Sequence, residues 1–223
     1  MRITKMLKES HAQVMLDLQA NMNAKVNPQW IDAAYPYLRA VVVEGAEAIE
    51  HHGWKWWKKQ ECDLEQLQME LVDIWHFMLS HLLLERKGDQ EAALADLLAL
   101  TKKENIISFD NKNFNINEMD ALQKIELCIG LACAERISVV LFEALLTDCK
   151  MDWNELFCQY VGKNVLNFFR QDNGYKEGTY SKLWHGREDN EHLVEVMSAL
   201  DTEHKDFQHL LYESLKDRYQ RNS

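Results

Sequence analysis

Proline and glycine are scarce. Two prolines and eight glycines punctuate 223 residues, so long helices can run without breakers. Cysteine pairing motifs are missing too. Cys62, Cys128, Cys133, Cys149 and Cys158 make an odd count with no Cys-x-x-Cys spacing, which argues against a disulfide framework or a structural zinc site. Reduced thiols in a cytoplasmic protein are the expectation. No apolar run approaches the roughly 18 residues needed to cross a bilayer. Met1–Leu7 carries basic residues without an apolar stretch behind them, so a soluble, unexported chain is expected. Positive charge is in deficit, with a net charge of −11. That excludes non-specific binding to a nucleic-acid polymer. A nucleotide remains admissible where metal and a few local cations offset its charge. Linkers, repeats and low-complexity segments are absent, which predicts one all-α domain over residues 1–223.

Apolar residues recur at three- and four-residue spacing, the signature of helices packed in a bundle. A first helix is predicted over 4–22, with Met6, Val14, Leu16 and Leu18 among its apolar positions. Asn27-Pro28 reads as a cap and first turn. A second helix then runs to His51, is kinked or restarted at Pro36, and stops at Gly53. Asp63 with Gln66 resembles a capping box opening a third helix striped by Leu64, Leu67, Leu71, Ile74 and Met78. Gly88 ends it, and Asp89 caps a short fourth. Residues 105–116 read as a polar loop. Asn117 is expected to cap one long apolar helix reaching Leu146. Asp152 with Glu155 opens another that ends near Gly174. A loop over 174–188 precedes a final helical pair at 189–220.

Residues 44–73 are the most informative stretch. Glu44-Gly-Ala-Glu47 and Glu70-Leu-Val-Asp73 are two acidic pairs at three-residue spacing, so each pair shares a helix face. A short turn between their helices makes those faces converge. No Lys or Arg stands three or four residues from any of the four, so local helix salt bridges do not explain them. Their apolar flanks, Val41-Val42-Val43 and Leu71-Val72, predict burial. Carboxylates aimed at one spot repel unless cations intervene, which favours a hard ion such as Mg²⁺ and a phosphate-bearing substrate. A di-iron bundle is the competitor, but it requires repeated Glu-x-x-His. Asp73 and His76 supply only one Asp-x-x-His.

Lys163, Asn167 and Arg170 recur at four and three residues, and this stripe suits an anionic ligand. Tyr175, Lys176 and Lys182 follow in a loop able to close over phosphates. An ordinary basic helix end is an equally good reading from spacing alone. Trp54, Trp56 and Trp57 would stack on a base or pack a tight turn, with Lys55 and Lys58 at the rim. Gln19 and Asn23 sit one helical turn apart, and their amides can read a pyrimidine edge.

Together, Glu44-x-x-Glu47, Trp54-Lys55-Trp56-Trp57, Glu70-Leu-Val-Asp73-Ile-Trp-His-Phe and the segment from Gly162-Lys-Asn to Arg170-Gln-Asp-x-Gly-Tyr175 resemble the dimeric all-α dUTPases. These belong to the wider all-α NTP pyrophosphohydrolases, alongside MazG-type enzymes. The resemblance implies hydrolysis of dUTP, and of dUDP, to dUMP by a metal-activated water. It implies Mg²⁺, with Mn²⁺ as a substitute, held by Glu44, Glu47, Glu70 and Asp73. Glu47 would also orient or deprotonate the attacking water. Gln19, Asn23 and Trp54, beside Lys55, fall on the uracil side. Lys163, Asn167, Arg170, Tyr175 and Lys182, with Lys176 beside them, fall on the sugar and phosphate side. A homodimer is implied, with the apolar helix from Ile125 to Leu146 a candidate interface or a plain core helix. Asn21 is a second candidate amide, and phage relatives also accept dCTP, so the choice of base stays open. A broader MazG-like pyrophosphohydrolase, a non-catalytic nucleotide sensor and a purely structural bundle are the alternatives.

Overall fold

The computed structural model describes residues 6–102, 105–201, 204 and 206–220. Among these residues the fold is all-α, with ten helices and two small antiparallel strand pairs. No described helix is long and apolar enough to cross a membrane.

Helix α1 (Glu9–Val26) begins later and ends later than its apolar pattern suggests. Residues 4 and 5 of the expected helix lie outside the described residues. Met6 and Val14 are exposed, and the buried face runs instead through Met15, Leu16, Gln19, Met22 and Asn23. Asn27-Pro28 leads only into the four-residue α2 (Trp30–Ala33). Pro36 restarts the chain as the N-cap of α3 (Tyr37–His52). Gly53 ends α3 at φ 83°, a left-handed conformation that glycine adopts without a Cβ clash.

Asp63 caps α4 (Leu64–Glu85) by accepting from the Gln66 N–H, so half of the expected capping box forms. The Asp63 N–H donates to the His51 carbonyl at 2.8 Å. That bond joins the end of α3 to the start of α4, so the helices fold back along each other with their acidic motifs face to face. Gly45 lets α3 sit tight on its other neighbour, because a Cβ there would stand 2.7 Å from Ile129 Cγ1. Asp89 caps α5 (Gln90–Leu100).

The expected loop over 105–116 contains a hairpin, β1 (Ile106–Phe109) and β2 (Lys112–Asn115). Asp110 and Asn111 form its turn, both with positive φ. The long helix predicted from Asn117 to Leu146 is two helices. Asp120, not Asn117, caps α6 (Ala121–Cys133) with a full capping box. The chain then turns through Glu135 at φ 58°, and Ser138 caps α7 (Val139–Asp148). Both helices bury their apolar faces within the chain. Asp152 and Glu155 complete the capping box of α8 (Trp153–Asp172). Within 174–188, β3 (Leu183–Trp184) pairs with β4 (Arg187–Glu188). Helices α9 (Asp189–Ala199) and α10 (Phe207–Gln220) close the described chain.

Trp75 of α4 anchors the core. It stacks on Phe142 at 4.9 Å and meets Trp153 edge-on at 5.1 Å. All three rings are fully buried. They hold α4, α7 and α8 together and leave the opposite side of α4 to face α3 and a cleft.

Candidate active site

The cleft has a volume of about 1170 Å³ and is walled by α1, α3, α4, α8 and the segment around α9. At one end the carboxylate oxygens of Glu44, Glu47 and Glu70 lie within 4.8 Å of one another. Glu70 is buried, Glu44 half-buried and Glu47 exposed. The burial expected for the whole motif therefore falls mainly on α4, while Val43 and Ala46 on α3 face outward. Burial, followed by repulsion from Asp73 and Glu44, pushes the Glu70 carboxyl up to about 8. Burial, followed by repulsion from Asp73 and Glu47, raises Glu44 to about 6. Such crowding opposes ionisation, and a bound cation reverses it. An all-oxygen donor set fits a hard divalent ion.

Asp73 stands beside this trio instead of within it. Its Oδ2 lies 2.9 Å from Lys163 Nζ. His51 was not anticipated, yet its Nε2 lies 3.5 Å from Glu70 Oε1.

The raised Glu70 carboxyl has a consequence for stability. Above pH 4.5 the folded chain holds this proton more firmly than the unfolded chain, so stability falls as pH climbs toward about 8. His76 has the opposite sign, because burial lowers its pKa to about 4 from 6.5. Its contribution is complete above about pH 6.5. Between about pH 6.5 and about pH 8, the melting midpoint in chelator is therefore expected to fall for the wild type relative to Glu70→Gln. Parallel curves for the two proteins would mean that Glu70 is not strained.

Across the cleft, α8 presents Lys163, Asn167 and Arg170 on one face, and all three line the cavity. Arg170 is fixed by a bidentate pair with Asp189, Nε to Oδ2 at 2.8 Å and Nη2 to Oδ1 at 2.7 Å. Its Nη1 donates to Asn167 Oδ1 at 3.0 Å. Tyr180 adds a third bond to Asp189 at 2.9 Å. Asn190 accepts from Lys163 Nζ at 3.2 Å. Tyr175 and Lys182 complete this wall, with Arg170 Cζ and Lys182 Nζ 5.9 and 5.6 Å from the Tyr175 ring centroid.

The third wall is a buried polar cluster. Gln19 Oε1 accepts from His76 Nδ1 and from the Tyr160 hydroxyl, both at 2.8 Å. Gln19 Nε2 donates to Ser80 Oγ at 2.8 Å and to Asn23 Oδ1 at 3.1 Å. Ser80 donates to Asn23 Oδ1 at 3.1 Å. Asn21, the alternative amide, is exposed. Ser80 and Tyr160 are additions to the expected set. A signal for the former lay in α4, where Glu70, Asp73, His76 and Ser80 form a polar stripe at helical spacing through an apolar helix.

Trp54, Lys55 and Lys176 do not line the cleft. Trp54 Nε1 and Lys55 Nζ both donate to Glu50, at 2.8 and 2.7 Å. Trp56 and Trp57 next to them are exposed. Lys176 Nζ donates to the Val26 carbonyl at 2.9 Å.

A protein-family model described as dUTPase matches residues 11–175. The chain belongs to the dUTPase family. No curated protein sequence matches it. Family membership carries dUTP diphosphatase activity and the use of a divalent metal, for which the three-glutamate cluster is a fitting seat. The dUTPase match covers the acidic motifs, the polar cluster and α8. It stops short of Lys182, Asp189 and Asn190, so the carboxylate that pairs with Arg170 lies beyond it.

Proposed function

We propose that the cleft binds dUTP together with Mg²⁺, with Mn²⁺ as a substitute, and that the reaction yields dUMP and pyrophosphate. The dUDP reaction, yielding dUMP and phosphate, belongs to the same site. The observation that carries this reading is the single cleft in which three crowded glutamates face Lys163 and Arg170. Glu44, Glu47, Glu70 and Asp73 would hold the cation, with Lys163 turned to phosphate. The ion supplies Lewis acidity and charge neutralisation at the phosphate oxygens.

Glu47 is the most exposed of the three and orients the attacking water, taking its proton. Lys163, Arg170, Tyr175 and Lys182 hold phosphates, and Asn167 holds the sugar. Gln19 and Asn23 face the base. Trp54, Lys55 and Lys176 act at the edge of the bound nucleotide after rearrangement, or across a homodimer. The exposed Trp56 and Trp57 support association of two copies on that face. Residues 1–223 act as one domain. The biological role is cytoplasmic removal of dUTP and supply of dUMP for dTMP.

The test is a panel of deoxynucleoside triphosphates with Mg²⁺, read by release of monophosphate and pyrophosphate. Brisk turnover of dUTP is expected. Turnover confined to other nucleotides removes the substrate assignment, and binding without product would favour a sensor.

A further inference from the structure

The polar cluster at the base end of the cleft has a property that its distances alone do not show: the hydrogen bonds between its side chains can reverse together. In the arrangement above, the single Tyr160 proton is shared between Gln19 Oε1 at 2.8 Å and the Met15 carbonyl at 2.9 Å. Two side-chain atoms are left over. Asn23 Nδ2 and His76 Nε2 are buried and have no hydrogen-bond partner among the described residues. With Nδ1 donating to Gln19, the neutral His76 ring leaves Nε2 as an acceptor. The unmet pair is thus one donor, Asn23 N–H, and one acceptor, His76 Nε2.

Now let both carboxamides turn by half a rotation. Oxygen and nitrogen exchange places, and the heavy-atom distances stay essentially the same. Gln19 Nε2 then donates to Tyr160 Oη and to His76 Nδ1. Tyr160 gives its proton wholly to Met15. Ser80 and Asn23 donate to Gln19 Oε1, and the second Asn23 proton goes to Ser80 Oγ. Every bond between side chains survives with its direction inverted, and Tyr160 keeps the Met15 carbonyl as its acceptor. The same two positions remain unmet, but their characters have swapped: Asn23 now offers a carbonyl oxygen, and His76 offers Nε2–H.

We propose that this invertible ring reads the base, and that it accepts both uracil and cytosine. The inference rests on the dUTPase reading of the cleft. The first polarity complements a carbonyl beside a ring N–H, the edge of uracil. The reversed polarity complements an amino group beside a bare ring nitrogen, the edge of cytosine. Both unmet atoms are closed off from water, so a base meets them after a small movement of the cleft wall. Cost separates the two polarities only weakly, since no buried bond is lost in passing between them.

Tyr160 is a positioning residue that decides the balance. It is fully buried and does not line the cleft. Without its hydroxyl, the uracil polarity leaves Gln19 Oε1 still served by His76. The cytosine polarity strands a buried Gln19 N–H, the more costly defect. Tyr160→Phe therefore favours uracil.

The test measures kcat/KM for dUTP and dCTP with the Mg²⁺-loaded enzyme. Wild type is expected to hydrolyse both, within about 100-fold of each other, and Tyr160→Phe to raise the dUTP-to-dCTP ratio by about tenfold or more, mainly through KM. Ser80→Ala removes two bonds from each polarity and strands one buried N–H in each, so it should leave that ratio unchanged. Nitrogen NMR of His76 gives a readout independent of activity and of any destabilised variant. With dUMP bound, the proton is expected on Nδ1, and with dCMP bound, on Nε2. The same tautomer with both ligands overturns the proposal, as does an unchanged ratio in folded Tyr160→Phe. Turnover of dUTP with none of dCTP overturns it and leaves the dUTPase reading standing. No turnover of dUTP removes both.

Discussion

Glu70→Gln is expected to lower kcat/KM for dUTP by about 10³-fold, the factor that follows when several kcal/mol of transition-state stabilisation are lost. Glu70 is the buried member of the glutamate trio. Glutamine keeps the volume but removes the charge that a cation requires. The α3–α4 pair should stay folded, because Glu70 contributes repulsion there instead of attraction. Steady-state kinetics, helical content and Mg²⁺ titration on one preparation check this. Activity within tenfold of wild type would place the metal seat elsewhere.

Asp189→Ala is expected to reduce stability by about 3–5 kcal/mol, the usual result of deleting one partner of a buried ion pair. Asp189 is fully buried, and Arg170 nearly so. The substitution leaves a guanidinium without its bidentate partner and a Tyr180 hydroxyl without its acceptor. Because Arg170 also lines the cleft, KM for dUTP should rise in the fraction that stays folded. Urea unfolding and kinetics together check the prediction. A loss below about 1 kcal/mol with unchanged KM would show that the segment beyond residue 175 does not brace the site.

Local chemistry made much of this molecule legible. Capping at Asp63, Asp89 and Asp152, the stop at Gly53 and the spacing of the acidic pairs all act within a few residues, so helix ends and motif faces followed from sequence. The failures have equally local causes. The break between α6 and α7 contains neither glycine nor proline; Glu135 adopts the left-handed conformation, and Ser138 caps the next helix. The hairpin at 106–115 was hidden by its asparagines, although Asp110-Asn111 between Ile107-Phe109 and Phe114 is a turn signal. What spacing could not supply was partnership across the chain. Gln19 and Tyr160 meet over 141 residues, and Arg170 finds Asp189 on an element that begins only after the phosphate loop. Trp54 shows the converse. Spacing left its indole either stacking on a base or packing a tight turn, and gave no sign that Glu50, four residues earlier, takes its N–H.

The Lys163–Asp73 pair gives the free site a resident counter-ion. Lys163 already neutralises one of the four acidic side chains through its Oδ2, which leaves Oδ1 as the oxygen through which Asp73 can take another partner. A nucleotide offers Lys163 a new anion in the same event, whereas bare metal offers it none. A phosphate that drew Lys163 across the cleft would free Oδ2 as well, an exchange of partners with little net change in charge around the lysine.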